Sequence, residues 1–161
     1  MSAFLAPDGV VQWTTGTWRA ALTPHGALLL PPEASLDLTF RLWTSLREES
    51  VTLPVLLGEL IAGLGGYLHT MPDFAVVLAL PDHRVHVALR GAPVLCLEGQ
   101  DMDAQGASTW FETTVPAPAW MSLRAPERPG ALTLAAGDAV VPASQLLFGD
   151  PTQPPAQDTD P

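Results

Sequence analysis

The sequence predicts an α+β domain: a mostly antiparallel sheet or partly closed β-sandwich, with two helices inserted after the first strands. Short apolar or alternating runs recur between turns rich in glycine and proline, a pattern typical of antiparallel strands. Two longer segments instead carry apolar residues at helical spacing. The chain has 161 residues, a length that fits one domain with one core.

The composition changes after Gly149. Residues 150–161 contain no apolar residue larger than alanine or proline, so this segment cannot offset the entropy of ordering its backbone. We therefore expect residues 1–149 to form the globular domain and residues 150–161 to form a flexible, acidic, proline-rich tail or linker.

The first strands are short and separated by turn residues. Val10–Thr14 and Thr17–Leu22 flank a Thr-Gly step, which predicts two strands joined by a tight turn. The apolar run Ala27–Leu30 predicts a third strand. Two prolines follow it directly and end it.

Two helices follow in the sequence. The first is predicted over Glu33–Glu48, after a Pro-Pro-Glu segment typical of a helix N-terminus, although Leu36–Leu42 also alternates as a strand would. The apolar residues that share one face at helical spacing in this segment are Leu36, Phe40, Trp43 and Leu46. The second helix is predicted over Leu53–Leu64, where leucine and isoleucine form one apolar stripe.

The rest of the domain is predicted to be strands. Phe74–Leu80 is almost wholly apolar and predicts a central strand buried on both faces, whereas Arg84–Arg90 alternates and predicts a half-buried strand. A polar loop is expected over Gly99–Gly106. Further strands are predicted at Val94–Leu97, Thr109–Val115, Trp120–Ala125, Ala131–Ala135 and Val140–Phe148.

Charge and hydropathy exclude two classes of partner. The net charge is −10 and the chain has no lysine, so no basic face is expected for nucleic acid or an anionic membrane. The longest apolar stretch, Val51–Leu68, is interrupted by Pro54, Glu59 and four glycines, which predicts no membrane span. The first ten residues lack a secretory pattern, and Cys96 is the only cysteine. These two features favour the reducing cytoplasm.

The sequence shows no catalytic motif. It has no Gly-x-Ser-x-Gly elbow and no P-loop, and Cys96 lies in an apolar run without an adjacent base. The four histidines lack the spacing of a zinc site. We therefore predict no catalytic residue, no cofactor and no metal site, with one outside possibility.

That possibility is a calcium loop. Asp101, Asp103, Gln105 and Glu112 occupy the first, third, fifth and twelfth positions of the calcium-binding pattern, with Gly106 at the sixth. Strand-like segments flank this loop instead of the two helices that the motif requires. An acidic hairpin loop is the favoured interpretation.

Tryptophan content and low charge favour a protein-interaction surface. Five tryptophans are many for one domain, and only 15% of residues are charged, so an apolar patch for a protein partner or for self-association is expected. The candidate residues are Trp13, Trp18, Arg84, His86, Arg90, Trp110 and Trp120, with Arg124 as a further polar contact. The alternative is a small-molecule or cation-binding domain that uses a sheet–helix pocket or the acidic loop, and an unfamiliar type of enzyme ranks third.

Three segments resemble the N-terminal region of actinobacterial FHA-domain-containing proteins. They are residues 72–77 (Pro-Asp-Phe-Ala-Val-Val), residues 87–91, which end in an Arg-Gly turn, and residues 106–116, which contain Thr-Trp-Phe-Glu. The resemblance implies an accessory domain of Ser/Thr phosphorylation signalling that precedes a linker and a forkhead-associated domain. A forkhead-associated domain reads phosphothreonine partly through asparagine, which this chain lacks. That module is therefore not in these residues, and the resemblance implies no catalytic or ligand residue.

Overall fold

A computed structural model describes residues 11–48, 50–63, 71–104, 106–107 and 109–149. These residues form two helices and ten strands of one antiparallel sheet, which confirms the α+β class in outline. The elements are β1 (Val11–Thr23), β2 (Gly26–Leu30), α1 (Leu36–Leu46), α2 (Leu53–Gly63), β3 (Phe74–Leu80), β4 (Arg84–Arg90), β5 (Val94–Leu97), β6 (Gln100–Met102), β7 (Phe111–Pro116), β8 (Trp120–Arg124), β9 (Thr133–Ala136) and β10 (Ala139–Gly149). The predicted tail lies outside the described residues.

The spatial order of the strands is β6-β5-β8-β10-β1-β2-β3-β4-β7, and β9 pairs with β1. Both helices follow β2 and pack on one face of the sheet, here called the helix face. No helix among the described residues is long and apolar enough to cross a membrane.

Helix α1 settles the ambiguity of its segment in favour of a helix. The Ser35 side chain caps it by accepting a hydrogen bond from the Leu38 backbone N–H at 3.0 Å. The predicted apolar face is right for Leu46, which is buried, but wrong for Leu36 and Phe40, which are about half exposed. The helix buries Leu38 and Leu42 instead. The i, i+4 spacing of the three leucines decides which side meets the sheet.

The opposite face of the sheet, here called the concave face, has neither of the two described helices on it. It nevertheless carries a large cluster of buried side chains. They come both from the β6-β5-β8-β10 half of the strand order and from the β1-β2-β3-β4-β7 half. Leu95 and Leu123 come from one half and Val85 and Leu89 from the other, and all four are fully buried. Because all described strands belong to one sheet and both described helices lie on the other face, the sheet must curl over its own side chains. Of the two predicted alternatives, the structure has the mostly antiparallel sheet, here curled, and not the sandwich.

Strand β1 is continuous, and the predicted hairpin at its Thr-Gly step is wrong. Thr15 and Trp18 both lie opposite Ala143 of β10, so Gly16 and Thr17 form a two-residue bulge. The step interrupts the regular pairing of β1 with β10 but does not end the strand. Its two halves pair with the 11-residue β10 instead of with each other.

The carboxylate of Glu127 fixes this bulge. It accepts hydrogen bonds from the Thr17 N–H at 2.9 Å, the Thr17 hydroxyl at 2.8 Å and the Trp18 N–H at 3.3 Å. The Ser144 hydroxyl donates to the Thr15 carbonyl at 2.8 Å. A Cβ at Gly16 would lie 2.4 Å from the Ser144 nitrogen, so only glycine fits there.

The bulge accompanies a sharp bend of β1. Val11 pairs with Ala136 and Leu22 pairs with Ala139, three residues further along the chain. Three residues span at most about 11 Å, and paired Cα atoms lie within about 5.5 Å. The Cα atoms of Val11 and Leu22 are therefore within about 22 Å, against about 36 Å in a straight strand of this length.

The other strands follow the predictions closely. β3 is buried over most of its length and lies between β2 and β4, as predicted for a central strand. One segment differs, because the predicted polar loop contains the short strand β6, which pairs with β5.

Replacing Glu127 by alanine should destabilise the fold. Glu127→Ala leaves two backbone N–H groups of the bulge without their acceptor, which is expected to lower the free energy of unfolding by about 1–2 kcal/mol. Urea unfolding measures the change. Glu33→Ala, at an exposed position before α1, is the control and should change stability by less than about 0.5 kcal/mol. Equal effects of the two substitutions would contradict this role of Glu127.

Candidate functional site

Four of the predicted interaction residues lie on or beside β4 and β7, and three of them form one group, whereas Arg84 pairs with Asp82. Arg84, His86 and Arg90 alternate along β4 on the helix face, and Trp110 directly precedes β7. Glu112 and Thr114 of β7 lie opposite Ala88 and His86 of β4. We call the group formed by His86, Arg90, Trp110, Glu112 and Thr114 the β4–β7 face.

Glu112 is the centre of this group. One carboxylate oxygen lies 2.8 Å from Nε2 of His86, and the other accepts a hydrogen bond from Nε1 of Trp110 at 3.1 Å. Both oxygens therefore have protein partners. The sequence singled out Glu112 only as a calcium ligand, although the alternation of Trp110 and Glu112 along a strand already predicts that they share a face.

The indole hydrogen bond contributes most to lowering the pKa of Glu112. The His86 hydrogen bond and charge lower it further, and partial burial opposes both. A lowered pKa keeps the carboxylate ionised well into the acid range. The face therefore carries a fixed negative charge beside an imidazole.

One aromatic and one cationic side chain attach this group to the rest of the domain. The ring of Trp110 packs on buried Phe74 with a centroid separation of 6.3 Å. The guanidinium of Arg90 donates to the backbone carbonyls of Met71 and Thr109. Arg90 thus joins the segment before β3 to the segment before β7, so it acts as a structural brace as well as a surface residue.

The turn after β4 is equally constrained. Gly91 has a φ of +77°, and a Cβ there would lie 2.1 Å from the carboxylate of Asp73. That carboxylate accepts a hydrogen bond from the Ala92 N–H at 3.1 Å. The Arg-Gly turn therefore depends on glycine and on an aspartate from the neighbouring strand.

The remaining tryptophans lie elsewhere. Trp18 is 7% exposed and belongs to the concave-face core, so its side chain is not at the surface. Trp13 is half-buried at the margin of the same core, and Trp120 is half-buried at the start of β8. Arg124 is exposed and pairs with Asp101 at 3.2 Å. The sequence could not show this, because strand pairing decides which aromatic residues are covered.

The residues of the calcium pattern are engaged separately. Asp101 pairs with Arg124, whereas Glu112 bonds to His86 and Trp110. Gln105 lies outside the described residues. Within the ranges that the structure describes, no group of three or more His, Cys, Asp or Glu side chains could hold a metal ion.

A pocket of about 360 Å³ lies at β5, β8, β10 and the loop after β8. Its lining includes Glu127 and Ser144, whose polar atoms hold the β1 bulge, and Arg124, which pairs with Asp101. These polar groups already have protein partners. The pocket is also away from the sheet–helix boundary where a ligand pocket was predicted.

Strand β7 is one end of the strand order and, among the described residues, pairs only with β4. Its residues alternate between half-buried and exposed over six positions. The outer side of an edge strand carries backbone N–H and C=O groups that another chain can use. The β4–β7 face therefore lies beside a backbone edge of useful length.

The chain matches no protein-family model, no curated protein and no solved structure.

The charge of Glu112 should support the fold in a pH-dependent way. Glu112→Gln is expected to lower the free energy of unfolding at pH 7 by at most about 1 kcal/mol, because the pair is partly solvated. Since the pKa of Glu112 is lowered in the folded state, this contribution exists above the ordinary glutamate pKa and is lost as pH falls through the folded-state value. Urea unfolding across the acid range measures the difference.

The control for this experiment is Glu33→Gln, which removes an exposed charge. Its effect on stability should be small at every pH. A deficit of Glu112→Gln that stayed constant from neutral pH into acid would show that the ionised carboxylate is not the cause.

Proposed function

We propose that this chain is a non-enzymatic protein-interaction domain, an adaptor or assembly domain associated with bacterial Ser/Thr phosphorylation signalling, which docks its partner on the β4–β7 face. The observation that carries the proposal is the edge of β7 that no described strand pairs with, beside a half-buried tryptophan within a polar group. An extended partner segment can add to such an edge through backbone hydrogen bonds.

The side chains of the β4–β7 face suit a docking surface. Tryptophan residues dominate binding energy where a polar rim excludes water, and Trp110 lies beside His86 and Glu112. These two polar groups are already paired with each other. A partner that covers them leaves no charge unpaired, which lowers the cost of removing water.

The same geometry favours binding over catalysis. A general base must have a free acceptor within reach of a substrate proton. Both oxygens of Glu112 already have protein partners, and the pocket of about 360 Å³ lies at β5, β8 and β10.

The association with phosphorylation signalling rests on the resemblance to the N-terminal region of actinobacterial FHA-domain-containing proteins. The three segments that carry it contribute to β3, β4 and β7, which are neighbours in the sheet. They share the Asp73–Gly91 turn, the Arg90 brace and the Trp110–Glu112 pair. The resemblance therefore concerns the part of the fold that forms the proposed docking surface.

Photo-crosslinking in the source cell tests the docking surface. A photoreactive residue replacing Thr114, exposed in the middle of β7, is expected to yield a discrete adduct with one protein. The matched control replaces Thr44, which is exposed on α1, and should not yield that adduct. Mass spectrometry of the adduct is expected to identify a Ser/Thr kinase, a phosphatase or a protein that works with them.

Competition shows whether Trp110 contributes the binding energy. Added wild-type domain should abolish the adduct, whereas folded Trp110→Ala domain should compete at least about 30-fold less well, the effect of losing a central tryptophan contact. Circular dichroism verifies that the variant is folded. Equal adducts from Thr114 and Thr44, or no adduct from Thr114, would refute the docking surface.

A further inference from the structure

A second surface, distant in the strand order from the β4–β7 face, has exposed apolar side chains beside an open strand edge. Leu132 is 60% exposed and Leu134 is 47% exposed, and Trp13 lies opposite Leu134 on β1. Among the described residues, β9 pairs only with β1. We call Trp13, Leu132 and Leu134 the β9 patch.

The β9 patch is the uncovered end of an apolar row that crosses the concave face. Successive cross-strand partners in this row are Leu134, Trp13, Leu146, Leu123, Leu95 and Met102. Leu146, Leu123 and Leu95 are fully buried, whereas Leu134 is exposed. A further strand beside β9 would continue the row and cover its end.

The backbone of β9 has hydrogen-bonding groups directed away from β1. Leu132 faces β1, because its carbonyl accepts a hydrogen bond from the Thr15 N–H at 2.9 Å. Successive residues of a strand direct their backbone groups to opposite edges. Thr133 and Ala135 therefore direct N–H and C=O outward.

The lack of charged side chains along this edge permits contact between two copies of the chain. The chain has a net charge of −10, yet residues 129–137 contain no charged side chain. Two copies repel each other over most of their surface, and a neutral segment lets them touch without like charges in contact. The segment is also self-complementary, since two antiparallel copies centred on Thr133 place Leu132 of each opposite Leu134 of the other.

We infer that two copies of this chain associate through β9, antiparallel about a two-fold axis beside Thr133. The two Thr133 residues exchange backbone hydrogen bonds, and the apolar rows of the two sheets become continuous. On the opposite side of the sheet the hydroxyls of Thr14 and Thr133 already lie 3.1 Å apart, and the pairing extends this contact across the axis.

The interface is small, so the dimer is weak. One short strand and the β9 patch bury less than the roughly 800 Å² per partner typical of a stable interface. Sedimentation equilibrium of the purified chain is expected to show a monomer–dimer equilibrium. The dimer fraction should rise with salt, because salt screens the repulsion between two acidic copies.

Substitutions at two leucines, both at least half exposed, test the surface. Leu132→Asp is expected to abolish the dimer, because it places a charge of each copy at the axis. Leu36→Asp, at a half-exposed position on α1, is the matched control and should leave the equilibrium unchanged. Loss of the dimer in both variants, or in neither, would overturn the proposal.

Cysteine pairing tests the register independently. In a Cys96→Ser background, Thr133→Cys places two sulfurs across the axis at a separation suited to a disulfide. Ala135→Cys is the control, since the two copies of residue 135 are offset by four residues, about 13 Å. Oxidation is expected to link only the Thr133→Cys protein.

Three results would overturn the inference: a monomer at all concentrations and salt levels, a species larger than a dimer, or efficient linkage through Ala135→Cys. Each is measured on the purified chain without any partner. Failure of this inference is therefore separate from failure of the proposed docking on the β4–β7 face.

Discussion

The hydrogen bonds from Thr17 and Trp18 to the carboxylate of Glu127 hold the bulge on which the shape of the sheet depends. At this point β1 and β10 lose their regular register, and β1 bends, so that its two ends pair with Ala136 and Ala139, which are only three residues apart. Without the bend, the concave face would be an open apolar surface. With it, the sheet covers its own side chains.

This arrangement explains how a chain with few charges buries its apolar residues. The helices cover one face of the β1–β4 half, and the curl covers the other face, so that strands such as β3 are buried on both sides. Coverage ends where the curl ends. Leu134 on β9 and Leu132 just before it are exposed for that reason, and β7, at one end of the strand order, has an outer edge that no described strand pairs with.

The two surfaces differ in chemistry in a way that suits different tasks. The β4–β7 face combines an aromatic ring with paired charges, which favours recognition of one partner with defined polar groups. The β9 patch is neutral and self-complementary, which favours contact between identical chains. A dimer through β9 would present two β4–β7 faces, so that a partner with repeated motifs would bind with increased avidity.

The sequence by itself determined the secondary structure of most segments, because the alternation and spacing of apolar residues are local properties. Helices α1 and α2 and strands β3, β4 and β10 lie close to their predicted positions. It also named His86, Arg90 and Trp110 as interaction candidates, but it did not show that Glu112 bonds to two of them. Only the tertiary structure decided that Trp18 is core, that α1 buries Leu38 and not Phe40, and that β1 pairs with β10 instead of folding on itself. The reason is physical: exposure and strand pairing depend on which distant segment covers a residue, and a carboxylate 110 positions away from Thr17 holds the bend that sets this pairing.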